Sequence, residues 1–169
     1  LLPLYYTLFH QAHTSGATVI RPLFFEFPGD AQALDNDRQF LIGSAVLVSP
    51  VLTQGAQSVS IYFPADVWYD YFTGELVADG AAYKSVDAPL DVIPIHIRAG
   101  HVVPHQLPAM TTKLARENDF YLVITFARET DGTAAGQLYL DDGESLDAPF
   151  TLIDFVATKT AEGGSIEST

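Results

Sequence analysis

Short apolar segments separated by turn residues occupy most of this chain, and they constrain its fold more than any other feature. From residue 44 onward, β-branched and aromatic residues gather in segments bounded by Gly, Pro, Asp and Thr. The segments are residues 45–52, 59–63, 67–72, 82–86, 92–98, 120–128, 135–140 and 150–158. Short strands at this spacing are typical of antiparallel β-sandwiches. We therefore predict an all-β region that contains one sandwich or two.

Residues 1–43 follow a different pattern. Apolar residues recur at helical spacing through the first twelve positions, and Pro3 and Gly16 suit the first turn and the end of a helix. Residues 18–27 form a nearly unbroken apolar run, which predicts a strand covered on both faces, as in a parallel α/β sheet. A short helix that includes residues 38–42 should follow. The change of pattern near residue 43 predicts a domain junction.

Residues 92–98 alternate in polarity. This two-residue period predicts a strand with one buried face and an outward face that carries His96 and Arg98. A glycine then interrupts the run. Residues 101–103 begin a second extended piece that Pro104 should stop, which predicts a hairpin or a bent strand.

Three further predictions concern the C-terminal half. Residues 120–128 and 135–140 flank Asp131-Gly132, a dipeptide favoured in tight turns, so we expect them to pair as a hairpin. Residues 161–169 are small and polar, which predicts a frayed tail. Residues 104–118 have the least strand character and are the best candidate for a domain boundary.

The composition excludes several classes of protein. The chain has 8 basic and 21 acidic residues, a net charge of −13, which disfavours nucleic-acid and anionic-membrane partners. It has no cysteine, so disulfide frameworks and thiolate chemistry are excluded. No apolar run approaches the roughly 20 residues that span a bilayer.

Two groups of carboxylates are candidates for chemistry. The turn at residues 141–144 carries three acids around Gly143, a pattern compatible with a Ca²⁺ site, although a solvated or capping turn is the commoner interpretation. Glu26 lies in an apolar run, where burial would raise its pKa unless an arginine such as Arg21 or Arg38 pairs with it.

Histidines and aromatic residues offer further candidates. His10 and His13 share a helix face but lack a third metal ligand, and His96, His101 and His105 could meet only if the chain folds back on itself. Ordinary hydrogen bonds are the commoner role for such histidines. The aromatic residues around Trp68, at 67–74, could stack on sugar rings or fill a sandwich core.

A series of short strings, in order, resembles the α-glucosidases of glycoside hydrolase family 31, which include lysosomal, intestinal, plant and fungal enzymes. The strings are LP at 2–3, YTLF at 6–9, AH at 12–13, RPLFFEFP at 21–28, QFLIG at 39–43, LVSPVL at 47–52, YFP at 62–64, WYD at 68–70, APLD at 88–91, HIRAG at 96–100 and DDGES at 141–145. The resemblance runs from Leu1 to about Thr158, nearly the whole chain.

The resemblance implies an α/β plus all-β fold in three parts. Residues 1–43 would be the last β/α unit of a (β/α)₈ TIM barrel, with residues 21–27 as its eighth strand. Residues 44–117 would be the proximal C-terminal β-sandwich, and residues 118–169 the start of a truncated distal one. The family's aspartate nucleophile lies in a Trp-x-Asp-Met-Asn-like string that is absent here. We therefore assign no catalytic, cofactor-binding or metal-binding residue to this chain.

The resemblance also implies a function for a larger protein. We expect a retaining exo-α-glucosidase that hydrolyses terminal, non-reducing α-1,4-linked glucose from maltose, malto-oligosaccharides and starch, with both catalytic aspartates upstream of Leu1. The partner of this segment would be the remainder of the catalytic barrel. The segment would close and brace that barrel through contacts that include His96 and Arg98, and would be inactive alone. The family's eukaryotic members imply a secreted, lysosomal or vacuolar location.

Two other classes remain open from the sequence. The chain could be a non-catalytic carbohydrate-binding β-sandwich that uses the aromatic residues 68–72, or an interaction module without a ligand. An α-xylosidase of the same family would share these C-terminal strings, because the residues that select the sugar lie elsewhere.

Overall fold

The computed structural model describes residues 1–127 and 132–169, which divide into two compact units. Unit 1 comprises Leu1–Val19 and Gly100–Thr169, and unit 2 comprises Ile20–Ala99. The helices are α1 (Leu2–Ser15), α2 (Leu23–Glu26), α3 (Ala31–Leu34) and α4 (Thr112–Arg116). The strands are β1 (Ile20–Arg21), β2 (Phe40–Ile42), β3 (Val46–Val48), β4 (Ser58–Phe63), β5 (Val67–Asp70), β6 (Leu76–Asp79), β7 (Ala82–Asp87), β8 (Ile95–Arg98), β9 (His101–Gln106), β10 (Phe120–Thr125), β11 (Gly132–Leu140), β12 (Thr151–Thr160) and β13 (Gly163–Ser168).

Unit 2 is built from a six-stranded antiparallel sheet, in the order β1-β2-β3-β8-β5-β6, and the pair β4-β7. Its core contains Leu41, Leu47, Phe63 and Trp68, all fully buried. Buried Gln39 joins the two sheets, because its amide donates to the Tyr62 carbonyl at 3.0 Å and accepts from the Tyr62 backbone N–H at 2.9 Å. Every buried polar group of this glutamine therefore has a partner.

Unit 1 combines α1 with a five-stranded sheet in the order β10-β9-β11-β12-β13. All neighbouring pairs are antiparallel except β9 and β11, which meet in parallel at Ala135 and His101. Gly136 allows this close approach, because a Cβ at that position would lie 1.9 Å from the Val102 carbonyl oxygen. The Thr7 hydroxyl of α1 accepts the Tyr139 backbone N–H at 3.0 Å and so joins the helix to β11.

The predicted first helix is confirmed as α1. A proline lies in its first turn, where no intrahelical N–H donor is needed, and it ends at Gly16, whose φ of 73° places it in the left-handed region. The Gly16 N–H donates to the Ala12 carbonyl at 3.0 Å. None of the helices in the described ranges is long and apolar enough to cross a bilayer.

The predicted buried parallel strand at residues 18–27 is wrong. Strand formation ends after Arg21, and Pro22 begins the one-turn helix α2. β1 pairs antiparallel with β2, so the predicted helix at residues 38–42 is wrong as well. Proline lacks the N–H that continues a ladder, whereas its fixed φ suits the start of a helix. β1 and β2 therefore belong to an antiparallel sheet, and the predicted strand at residues 21–27 is replaced by a helix at Leu23–Glu26. That residues 1–43 end a barrel stays a prediction.

Two further predictions about strand pairing are wrong. β9 lies between β10 and β11, so residues 120–127 and 135–140 do not form a hairpin, and Asp131 of the predicted turn lies outside the described residues. The predicted frayed tail is β13, which pairs with β12. The β-sheet content predicted after residue 44 is otherwise present. The division at residues 43 and 117 stays a prediction.

β8 and β9 belong to different sheets and do not form the predicted hairpin. β9 continues through Pro104, which was expected to stop it. Among the described residues, β9 pairs with β11 at His101 and with β10 along its length, so Pro104 faces a paired strand on one side, and strands accept proline at such places.

Candidate functional site

Glu26 is the centre of an ion-pair cluster in unit 2. Its carboxylate lies 2.5 Å from an Arg21 guanidinium nitrogen and 3.5 Å from one of Arg98. Arg98 in turn contacts Asp66 at 2.6 Å, and its guanidinium lies 4.6 Å from the centre of the Phe27 ring. The predicted pairing of Glu26 with Arg21 is confirmed. Because two guanidinium groups hold this carboxylate, the cluster is suited to joining α2, β1 and β8 rather than to proton transfer.

His96 does not lie on an outward face, and that prediction is wrong. β8 is a central strand between β3 and β5, and His96 and Ile97, which point to opposite faces of the strand, are both buried, so both faces are covered. Its ring meets Phe63 edge-on, with 4.8 Å between ring centres. Desolvation lowers the pKa of His96 to about 4, although the Asp70 carboxylate acts in the opposite direction. A fully buried side chain cannot form the interdomain contact expected from the sequence.

The acidic turn of unit 1 holds a second cluster, which we call the Asp141 cluster (Tyr6, Arg116, Tyr139 and Asp141). The Asp141 carboxylate accepts the Tyr6 hydroxyl at 2.7 Å, the Tyr139 hydroxyl at 3.0 Å and the Gly143 N–H at 2.8 Å. Arg116 lies 3.8 Å from the same carboxylate and also donates to the Asp141 carbonyl. The cluster therefore joins α1, α4 and β11.

Hydrogen bonding determines the charge state of the turn. Desolvation alone would raise the pKa of Asp141, but the bonds from Tyr6, Gly143 and Tyr139 and the charge of Arg116 outweigh it, so the pKa lies below its usual value. Bonds from the Ser145 side chain and from the Glu144 and Ser145 N–H groups lower the pKa of Asp142 to about 2. Both carboxylates serve the turn, in agreement with the capping interpretation.

The histidines do not assemble into a metal site. Within residues 1–127 and 132–169, no group of three or more His, Cys, Asp or Glu side chains could hold a metal ion. His10 instead stacks on Tyr139, with 4.0 Å between ring centres, and burial lowers the pKa of His105 to about 4. Among the described residues, neither the three-histidine alternative nor the Ca²⁺ alternative therefore has a supporting group of ligands.

The aromatic run of β5 is part of the core. Trp68 is fully buried, and its indole N–H donates to the Pro64 carbonyl at 3.0 Å. Tyr71 and Phe72 pack edge to face, with an angle of 86° between their rings. The core interpretation is therefore confirmed for Trp68, whereas Phe72 is 60% exposed.

An open cleft of about 510 Å³ lies between α1, α4, β10 and β11 in unit 1. Its walls are mainly apolar and aromatic, and the Asp141 cluster lies at one side. The lining residues include Leu2, Tyr5, Phe9, Ala115, Phe120 and Leu138. The Tyr6 and Tyr139 hydroxyl groups at the cleft both donate to the Asp141 carboxylate, so these three groups bond to one another without a ligand.

Several residues of these clusters were missed from the sequence. Asp66 holds Arg98 from 32 positions away, and Tyr6 meets Asp141 across 135 positions. No spacing rule connects residues at such separations. The clusters organise each unit, and the described carboxylates Glu26 and Asp141 are both occupied by structural partners.

Comparison with known proteins decides the family. Residues 16–103 match the glycosyl hydrolase family 31 C-terminal domain. The chain belongs to glycosyl hydrolase family 31. The resemblance expected from the sequence is thereby confirmed, and the segment corresponds to the C-terminal region of larger family 31 enzymes.

The relatives are much longer than this chain. It is 44% identical to probable maltase-glucoamylase 2 of Homo sapiens over 163 residues, which cover 94% of this chain and 6% of that protein. It is 46% identical to a probable alpha-glucosidase of Oryza sativa subsp. japonica over 147 residues, covering 86% of this chain and 16% of that protein. The Tris-bound glucosidase II alpha subunit superposes with a TM-score of 0.86 at 32% identity, covering 96% of this chain and 19% of that one.

Proposed function

We propose that this chain is the C-terminal part of a retaining exo-α-glucosidase that releases terminal, non-reducing α-1,4-linked glucose from maltose, malto-oligosaccharides and starch. The observation that carries the proposal is the 44–46% identity to a maltase-glucoamylase and an alpha-glucosidase over most of the chain. The proposal places the nucleophile and the acid/base in the catalytic domain of the whole polypeptide. The occupied state of Glu26 and Asp141 is consistent with that placement.

The role proposed for this segment is to brace the catalytic barrel by packing. Each unit presents large apolar side chains to solvent: Leu2 and Phe9 in unit 1, and Ile20, Phe24, Phe25 and Leu34 in unit 2. Burying apolar surface contributes about 25 cal/mol per Å², so covering several such side chains would stabilise a domain contact. This role does not require residues 21–27 to form a barrel strand, since Leu23–Glu26 is helical.

An activity assay tests the enzymatic part. The whole polypeptide should hydrolyse maltose and a nitrophenyl α-glucoside, whereas residues 1–169 alone should hydrolyse neither. A nitrophenyl α-xyloside in parallel separates an α-glucosidase from an α-xylosidase. Clear hydrolysis by residues 1–169 alone would overturn the assignment of catalysis to another domain.

A pair of variants tests the bracing part in the whole polypeptide. Phe9 has 54% of its surface exposed. The substitution Phe9→Asp should lower the thermal stability of the catalytic domain, because the new charge would be buried at the domain contact. His13→Asp is the matched control on the same helix, since His13 is also exposed. Equal melting temperatures for the two variants would contradict a contact at Phe9.

Sugar binding and cellular location can each be tested separately. The burial of Trp68 removes the main observation in favour of a carbohydrate-binding module, and binding of maltose by residues 1–169 in calorimetry would restore it. A secreted, lysosomal or vacuolar location is proposed from the family, and fractionation of the native protein would decide it.

A further inference from the structure

The core of unit 2 contains a histidine that the proposed function does not use. His96 is the sole histidine between residues 20 and 99, since the other four are at positions 10, 13, 101 and 105. It is fully buried, and among the described residues neither of its ring nitrogens has a hydrogen-bond partner. Buried polar groups are rarely left without partners, so this exception requires an explanation.

The surroundings of His96 suit a neutral ring and oppose a charged one. On β3, its register partner Leu47 is buried and apolar, and the edge-on ring of Phe63 covers one side. On β5, its register partner Asp70 is the charged group that acts on it. The Asp70 carboxylate already accepts the Phe72 and Thr73 N–H groups at 2.9 and 2.8 Å.

The second charged residue near this position is on β8 itself. Arg98 lies two positions after His96, and its guanidinium contacts Asp66 at 2.6 Å and Glu26 at 3.5 Å. These carboxylates are therefore engaged by arginine. A proton added to the His96 ring would lack a hydrogen-bonded counter-charge.

We propose that His96 is an acid-sensitive element of unit 2, whose protonation places an unpaired cation at the centre of the six-stranded sheet and promotes opening of β3, β8 and β5. An isolated charge in an apolar core is strongly unfavourable. Opening exposes the ring to water and removes this penalty. The proposal is independent of the proposed enzymatic activity.

The direction of the pH dependence follows from linkage. Burial lowers the pKa of His96 to about 4, whereas a histidine in an unfolded chain has a pKa near its ordinary value of 6.5. The unfolded state therefore binds more protons between these values. The stability that neutral His96 provides is complete above pH 6.5 and is lost as pH falls toward 4. Relative to pH 7, the opening constant should rise about 3-fold at pH 6 and about 20-fold at pH 5.

Hydrogen–deuterium exchange of the whole polypeptide tests the proposal. Peptides from β3, β5 and β8 are followed at pH 7, 6 and 5, with labelling times scaled for intrinsic exchange, in wild type, His96→Leu and His13→Leu. Wild type and His13→Leu should show the 3-fold and 20-fold rises relative to His96→Leu. If the rise in exchange between pH 7 and pH 5 differs by less than 2-fold between wild type and His96→Leu, the proposal is overturned.

A second readout covers the case in which His96→Leu does not fold. NMR of wild-type protein with ¹³C-labelled histidine follows the imidazoles during an acid titration, and a His105→Gln variant identifies the resonance of His105, whose pKa burial also lowers to about 4. A further imidazole in unit 2 that stays neutral to about pH 4, where unit 2 unfolds, supports the proposal. If the His96 imidazole becomes protonated well above pH 4 while unit 2 stays intact, then His96 is not an acid-sensitive element.

Discussion

Changing Glu26 to Gln should destabilise unit 2 measurably while preserving its shape. Glutamine fills the same space but leaves Arg21 and Arg98 facing each other without the carboxylate that now lies 2.5 and 3.5 Å away. The side chains of Glu26 and Arg98 are 18% and 22% exposed, between the limits of surface and buried pairs. Surface pairs contribute at most about 1 kcal/mol, whereas breaking a buried pair costs about 3–5 kcal/mol.

The expected loss lies between those limits because Arg98 keeps Asp66 at 2.6 Å. We expect about 2 kcal/mol, which for a protein of this size lowers Tm by roughly 4–8 °C. Calorimetric unfolding measures this shift. Asp37→Asn is the matched control, because its pair with Arg38 is 3.9 Å long and 89% exposed at Asp37. Equal Tm values for the two variants would refute the reasoning, and an Arg21→Met/Glu26→Gln cycle would measure the coupling directly.

Two further predictions concern unit 1. Gly136→Ala should destabilise it by more than about 3 kcal/mol, because the new Cβ would overlap the Val102 carbonyl and separate β9 from β11. Urea unfolding measures this loss of stability. The control Gly29→Ala, where a new Cβ would have nothing within 4 Å, should leave the stability unchanged. Asp141→Asn should weaken the contact between α1 and β11, and wild type should lose this contribution in acid, as pH falls through the lowered pKa of Asp141. A variant as stable as wild type at pH 7 would show that the carboxylate charge is unimportant.

Local pattern was sufficient for elements whose periodicity and turn residues agree. α1 has a helical apolar stripe, an early proline and a terminal Gly16, and all three signals indicate the same element. β4, β7 and β12 were likewise identified from β-branched runs between turns. The run at residues 18–27 misled because composition and backbone chemistry disagreed there: its apolar residues indicated a strand, but Pro22 directed the chain into a helix.

The candidate site could be predicted only one member at a time. Glu26 and Asp141 were recognisable as unusual acids, but their partners are fixed by tertiary packing. Asp66 lies in the connection between β4 and β5 and contacts Arg98 on β8. Tyr6, near the start of the chain, contacts Asp141 near its end. The burial of His96 depends on residues such as Phe63 that cover its face of β8, which is a property of tertiary packing and not of the sequence around it.

Unit 1 is assembled from two separated stretches of polypeptide, with all of unit 2 encoded between them. During synthesis, residues 20–99 form a continuous segment that leaves the ribosome before residues 100–169. α1 is made first but must wait for β11, since Thr7 and its partner Tyr139 are 132 positions apart. At about 5–20 residues per second this delay is roughly 7–26 s. Throughout that time the apolar side of α1 is a nascent-chain surface that chaperones can bind.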